Sequence, residues 1–241
     1  TTGAAVGASL AGMKPIVVHP RIDFMLYAMD ALVNQAANWS HMFGGQANPN
    51  VTIRGIINRG GEQGAQHSQA LHAWFAHIPG IKVVMPTFPE DAKGLLLSSI
   101  FDDNPVVFIE HRWLHSVKGK VPIGDSRIEI GRARQVCKGD DLTIVSMSYM
   151  TIEALRAAEQ LKLVNVKIDL IDLRTIKPLD WDSVFASVRK TRKLLVLDTG
   201  AETNSFASEI IARVCNECWN ELSISPERIS MPDCPEPTSY G

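Results

Sequence analysis

Val51-Thr52-Ile53-Arg54-Gly55-Ile56-Ile57-Asn58-Arg59-Gly60-Gly61-Glu62-Gln63-Gly64-Ala65-Gln66-His67-Ser68-Gln69 is the stretch on which the fold turns. Its apolar opening reads as a short buried strand, and Ala70 to His77 reads as an apolar, aromatic helix. A glycine-rich loop therefore leaves a strand tip and delivers His67 to the start of a helix. In open α/β sheets that is where ligands bind, outside the carboxyl ends of the strands. Glycines let the backbone turn with positive φ and approach a ligand closely. A histidine placed there can exchange protons near neutral pH. It can equally cap a helix while the glycines make a surface turn, and spacing alone leaves both readings open.

Outward from this stretch, strands and helices alternate. Residues 4–11 read as a tightly packed helix, 15–19 as a strand, and Phe24 to Met42 as one long helix burying Met25, Met29, Leu32, Val33 and Ala36. Residues 81–85 read as a strand ended by Pro86. Residues 89–101 read as a helix with a proline in its first turn and Glu90 and Asp91 at its positive end. Pro105 to Ile109 reads as a strand whose consecutive apolar residues are covered on both faces. His111 to Gly131 breaks the rhythm, and a second unit follows. Its strands are expected at 141–146, 166–171 and 193–198, and its helices at 151–163, 180–188 and from about Asn204. This alternation predicts an α/β protein with two parallel-sheet domains. The division expected is a first domain at 1–115, a linker at 116–130 and a second domain at 131–241.

The composition is that of a soluble globular chain: 241 residues, 45% hydrophobic, 21% charged, net charge -2. That balance gives no electrostatic footprint for nucleic acid or an acidic membrane surface. No apolar run approaches the ~20 residues that span a bilayer. Cys137, Cys215, Cys218 and Cys234 make no dense framework and fit a reducing compartment. Cys215 and Cys218 form one C-x-x-C, but no second pair completes a zinc site. Ile210, Ile211, Val214 and Cys218 fall on one side of a helical period, so core or surface thiols are expected.

Several motifs, in order, carry a resemblance. They begin with Gly3-x3-Gly7-x4-Gly12, then Arg54-Gly55 with Gln66-His67-Ser68-Gln69, then Pro79-Gly80-x-Lys82-Val83-Val84-x-Pro86. Asp91-Ala92-Lys93-Gly94 and Asn104-Pro105-Val106-Val107-x2-Glu110 follow. The second unit adds Ile171-Asp172-Leu173-Arg174-Thr175-Ile176-Lys177-Pro178-Leu179-Asp180 and Ser187-Val188-x-Lys190-Thr191. Together the set resembles the beta subunit of the thiamine diphosphate-dependent 2-oxo acid dehydrogenases of the pyruvate and branched-chain type. Transketolase and its deoxyxylulose phosphate synthase relatives share the fold but usually lack the Gln-His-Ser-Gln form and the Leu-Arg-Thr-Ile-x-Pro-Leu-Asp segment.

The resemblance implies a thiamine pyrimidine-binding domain followed by a transketolase C-terminal-like domain. It implies Phe24 against the cofactor's aminopyrimidine ring and His67 as the catalytic histidine. Val51, Ser99, Asp102 and Asn104 match the family's potassium site, although Asp102 and Asn104 can simply end a helix before Pro105. Thiamine diphosphate is implied as shared with an alpha subunit, which holds the magnesium; no Gly-Asp-Gly diphosphate motif occurs in this chain. The implied partners are that alpha subunit, a second beta subunit and a lipoyl-bearing acyltransferase core, with no nucleic acid and no membrane. The implied location is the cytoplasm, or the mitochondrial matrix in a eukaryote. The family's general-acid glutamate lies ahead of the stretch that matches Gly3, so the sequence reads as a fragment, inactive alone. Half of a transketolase-type enzyme acting on sugar phosphates is the alternative, with Arg54, Arg59 and Arg21 as phosphate contacts; a non-catalytic paralogue is another.

Overall fold

Val106, Val107, Phe108 and Ile109 are all buried, so the strand that carries them must be covered on both faces. In the computed structural model, which describes residues 1–59 and 63–237, that strand is central to a five-stranded sheet. In chain order the first half gives α1 (Thr2–Leu10), β1 (Ile16–His19), α2 (Trp39–Met42), β2 (Thr52–Ile57), α3 (His72–His77), β3 (Lys82–Val84), α4 (Pro89–Ile100) and β4 (Val106–His111). The second gives β5 (Arg134–Cys137), β6 (Leu142–Ser146), α5 (Tyr149–Lys162), β7 (Ile168–Asp172), β8 (Thr175–Lys177), α6 (Trp181–Thr191), β9 (Leu194–Ala201), α7 (Phe206–Cys218) and β10 (Glu227–Met231). The first sheet runs β1-β2-β4-β3-β8 and the second β10-β9-β6-β7-β5. All pairings are parallel except β3 with β8 and β5 with β7.

The two-sheet α/β expectation is met, with three strands the sequence reading lacked: β5, β8 and β10. Each lies at a sheet edge, where half the partners are missing and the hydrophobic signal is correspondingly weak. β8 comes from the second half of the chain yet completes the first sheet. The segment expected as a linker lies along α4. Ser98 Oγ donates to the Ile128 carbonyl at 2.5 Å, and Gly94 gives Ile128 the room that a Cβ would take.

The long helix expected from Phe24 to Met42 is instead a 3-10 turn (Ile22–Ala28), a π-helix (Asp30–Ala36) and the short α2. Threefold spacing stacks Ile22 over Met25, and both press on Gly55 of β2, where a Cβ would fall 2.4 Å from the Met25 sulfur. Gly80, at φ +85, admits the Ala37 carbonyl equally closely. The segment trades helical regularity for this close seat on the sheet. Within α7, Ile210, Val214 and Cys218 are buried, so Cys218 is a core thiol.

The halves are bolted by polar contacts. His72 Nε2 and Asp198 Oδ1 meet at 2.8 Å with both side chains fully buried. Asp198 also accepts from the Gly200 and Ala207 N–H groups. Burial pushes its carboxyl up, but the His72 charge and these hydrogen bonds outweigh that and hold it below the usual range. Lys177 Nζ donates to the Ala76 and Ile78 carbonyls at the end of α3. Asp91 takes Arg134 and Arg174 at 3.0 Å each. Beside them Asp172 is completely buried; its Oδ1 accepts from the Arg174 N–H, and its Oδ2 has no partner.

Replacing His72 by Ala leaves the Asp198 carboxylate buried without its counter-charge, and the expected cost is about 3–5 kcal/mol in urea denaturation. Adding Asp198→Asn should return part of that loss; strictly additive costs would show the two groups are not coupled. Asp172 gives a pH signature. Burial, against the Thr87 hydroxyl and the Arg174 N–H, raises it from 3.8 to about 7. Its protonated form is favoured in the fold, so its contribution is complete below about pH 4 and lost as the pH rises towards about 7. The stability of the wild-type chain relative to Asp172→Asn should fall across that window. A difference that stays flat with pH would contradict it.

Candidate active site at the carboxyl ends of the first sheet

Parallel neighbours β1, β2 and β4 release their chains at one edge, through Pro20-Arg21, Asn58-Arg59 and Arg112. His67 lies at this edge. The helix expected from Ala70 begins only at His72, so His67 occupies the turn before it and not the helix start. Its own N–H donates to the Gly64 carbonyl at 3.2 Å, and Gly64 makes the bend at φ +68. Gly60, Gly61 and Glu62 lie outside the described residues.

Two ties set the ring of His67. Ser68 Oγ donates to the Asn58 carbonyl at 3.4 Å. Gln69 gives its backbone N–H and its side-chain amide to Asp23 Oδ1, at 3.2 and 2.8 Å. Asp23 directly precedes Phe24, so the second tie sets both aromatic groups at once. The Phe24 and His67 rings meet edge to face, with centroids 5.2 Å apart and planes at 85°. Phe24 is 38% exposed and His67 half-buried. His67 Nδ1 and Asp23 Oδ2 are buried without hydrogen-bond partners. A histidine serving the core would have a partner to satisfy; this ring has none through Nδ1, and it faces an aromatic that is partly open to solvent.

The surrounding charges are ordered. Arg54 pairs with Glu110 at 2.5 Å. Arg59 binds Glu236 and donates to the Thr199 carbonyl and hydroxyl, tying the glycine-rich loop to the second half. His111, at the end of β4, stacks on Tyr149 at 5.1 Å and accepts the Trp113 N–H on Nδ1. Burial, with the charges of Arg59, His115 and His72, lowers its pKa to about 3, so it is neutral at physiological pH.

The four residues expected for potassium are otherwise engaged. Asp102 Oδ2 pairs with Lys82 Nζ at 2.6 Å, and its Oδ1 takes the backbone and side-chain N–H groups of Asn104. Ser99 Oγ donates back to the Leu95 carbonyl, and the Val51 carbonyl accepts from Val106. The Asx-turn and the lysine ammonium account for the contacts of the Asp102 and Asn104 side chains. Among the described residues no group of three or more His, Cys, Asp or Glu side chains is placed to hold a metal ion.

Sequence reasoning singled out Phe24 and His67, which the fold brings together. It missed Asp23, Asn58, Gln63, Arg112 and the His72–Asp198 pair. Their signal is faint in one sequence: a lone acid before an aromatic, and amides just past a strand.

Comparison with known proteins bears on this geometry. Residues 1–116 match the model of the transketolase pyrimidine binding domain, and residues 131–241 that of the transketolase C-terminal domain. The chain is 42% identical over 237 residues to the acetoin:2,6-dichlorophenolindophenol oxidoreductase subunit beta of Cupriavidus necator, covering 98% of this chain and 70% of the relative. It is 39% identical over 236 residues to the pyruvate dehydrogenase E1 component subunit beta of Rhizobium meliloti, covering 98% of this chain. It spans 51% of that relative's length. The mitochondrial beta-1 subunit of Arabidopsis thaliana pyruvate dehydrogenase E1 is also 39% identical, with 98% of this chain and 66% of the relative covered. Among solved structures, a split gene transketolase, an inactive beta4 tetramer, superposes with a TM-score of 0.78 at 23% identity, covering 96% of this chain and 71% of that one. At that identity the likeness concerns the fold.

His67→Ala removes a half-exposed ring with no bond through Nδ1, so the expected loss of stability is about 0.5–1.5 kcal/mol, the scale of one aromatic pair. A thermal melt of the variant measures it. A loss well above about 3 kcal/mol would return His67 to a core role.

Proposed function

The chain belongs to the family of thiamine diphosphate-dependent dehydrogenase beta subunits, built of transketolase pyrimidine-binding and C-terminal domains, and from this premise we propose that it is the beta half of a 2-oxo acid dehydrogenase. The relatives are beta subunits, which favours this reading over half of a sugar-phosphate transketolase. The observation that carries it is the Phe24–His67 pair at the carboxyl ends of β1 and β2. We divide the chain as 1–115, 116–130 and 131–241 on the same reading.

The residues present fit the cofactor's pyrimidine end. Phe24 offers a partly open aromatic face, and Asp23 Oδ2 and His67 Nδ1 offer unpartnered polar atoms beside it. When bound, thiamine diphosphate supplies the carbon nucleophile and electron sink for loss of carbon dioxide from a 2-oxo acid. Everything else falls to the protein. Phe24 packs a flat ring. Asp23, through Gln69, fixes the angle of His67. His67 holds or moves a proton at the substrate's oxygen or at the sulfur set free when an incoming lipoyl disulfide opens. Arg59 pins the loop against the second half and so limits water at the reacting end.

Magnesium and the diphosphate fall to an alpha subunit, so the working unit is a heterotetramer with its active site between subunits. A lipoyl-bearing acyltransferase core takes the acyl group, and two beta chains pair within the assembly. Potassium at Val51, Ser99, Asp102 and Asn104 would rest on backbone carbonyls, since Lys82 already neutralises Asp102. We place the assembly in the cytoplasm, or in the matrix of a mitochondrion. Among the described residues no helix is long and apolar enough to cross a membrane.

Carbon dioxide release from pyruvate and branched-chain 2-oxo acids, with thiamine diphosphate and magnesium, tests the reading. The purified 241-residue chain should be silent and its complex with an alpha subunit active. In that complex His67→Ala should lower acyl transfer by roughly 10²–10⁴-fold, the range for a lost proton-transfer group. Turnover by the chain alone would sink the half-enzyme reading, and a fully active His67→Ala complex would remove the role given to that residue.

A further inference from the structure

Of the arginines at the site edge, two have a carboxylate partner and two have none among the described residues. Glu110 answers Arg54 and Glu236 answers Arg59. Arg21 and Arg112 contact only amides and carbonyls among the described residues. Arg21 Nε and Nη2 donate to Gln63 Oε1 at 3.0 and 2.7 Å, and Nη1 donates to the Pro20 carbonyl. Arg112 Nη1 donates to Asn58 Oδ1 at 3.0 Å. A guanidinium carries five N–H donors. Among the described residues Arg21 thus keeps two and Arg112 four without a partner.

The two cations are held together deliberately. Asn58 is completely buried, yet its Nδ2 donates to Gln63 Oε1 at 2.9 Å while its Oδ1 receives Arg112. One buried amide therefore spends both ends fixing the holders of two like charges. Solvated surface arginines need no such frame. The same Asn58 accepts Ser68, the neighbour of His67, and Arg21 lies on the turn that leads into Phe24. The frame is thus continuous with the reacting end.

We propose that Arg21 and Arg112 form a subsite for a second anionic group on the substrate, so that the 2-oxo acid this protein prefers is a dianion with a carboxylate or phosphonate at the end away from its oxo group. This rests on the placement of the reacting end at Phe24 and His67. Guanidinium forks suit both groups because they present parallel N–H donors to paired oxygens. The charge also suits a frame that holds two cations with no carboxylate partner among the described residues: the ligand supplies negative charge. Of the three arginines first considered for phosphate, only Arg21 is left for this task, and Arg112 joins it.

Calorimetry on the alpha–beta complex without cofactor tests the subsite, using pyruvate and 2-oxobutyrate against 2-oxoglutarate and 3-phosphonopyruvate. The dianions should bind at least about 10-fold tighter than pyruvate, and added salt should erode the difference. Arg21→Gln and Arg112→Gln should each cut the dianion-to-pyruvate affinity ratio by about 10- to 100-fold, as expected for a charge-assisted pair. Arg112 is exposed, so its variant keeps the test open should Arg21→Gln fold poorly. The stronger of the two dianions tells carboxylate from phosphonate. Equal binding of all four acids, or a dianion preference that survives both substitutions, overturns the subsite. A complex that decarboxylates pyruvate through His67 with no dianion preference leaves the function standing and removes the subsite alone. Arginine-dependent dianion binding in a complex that decarboxylates none of the four does the reverse.

Discussion

A charged contact with no access to water, His72 with Asp198, governs how the two halves of this chain meet. Its partners are at the first turn of α3 and in the middle of β9, and each is costly to bury without the other. Because the pair is saturated on the Asp198 side by two backbone N–H groups, β9 cannot slide against α3 without stranding a carboxylate. Gly200 is part of the same constraint, since a Cβ there would fall 3.2 Å from the His72 ring. With β9 fixed, Thr199 is fixed too, and with it the anchor that Arg59 uses to hold the loop leading to His67. A structural ion pair thereby sets the position of a loop it never touches.

The site itself is assembled by amides more than by charges. Gln69 reaches Asp23, Asn58 reaches Gln63, and Ser68 reaches the backbone of Asn58. The two amide contacts, at 2.8 and 2.9 Å, are short and directional, and carry an angle as well as a distance. The Gln-His-Ser-Gln run is therefore best understood as one half-buried ring flanked by fasteners at Ser68 and Gln69. Direction matters here because a ring that meets Phe24 edge to face has little tolerance for rotation.

How much of this the sequence disclosed varies by element. Strands buried on both faces, such as β4 and β7, announce themselves as apolar runs, and helices with clear caps, such as α4 with Pro89 and Glu90, end close to where they were expected. Phe24 to Met42 reads as one helix because its apolar spacing fits a regular period loosely. The departure comes from Gly55 and Gly80, remote glycines that invite a closer approach than a straight helix makes. Phe24 and His67 were legible through motif resemblance, and their contact was not, since nothing local relates the two. The corner at Asp102 shows the opposite case: turn chemistry accounts for its contacts with Asn104, and Lys82, at the start of β3, supplies an ammonium to Asp102.

β8 carries a consequence for the order in which this protein comes into being. A ribosome finishes β1 through β4 long before it reaches Thr175, and until then β3 is an open strand edge, able to pair with whatever it meets. The first half thus leaves the exit tunnel incomplete and waits for Lys177 to close both its sheet and the end of α3. Severing the gene near the linker would give two products that each lack something the other holds. The chain's two-part appearance hides an obligation to be synthesised as one.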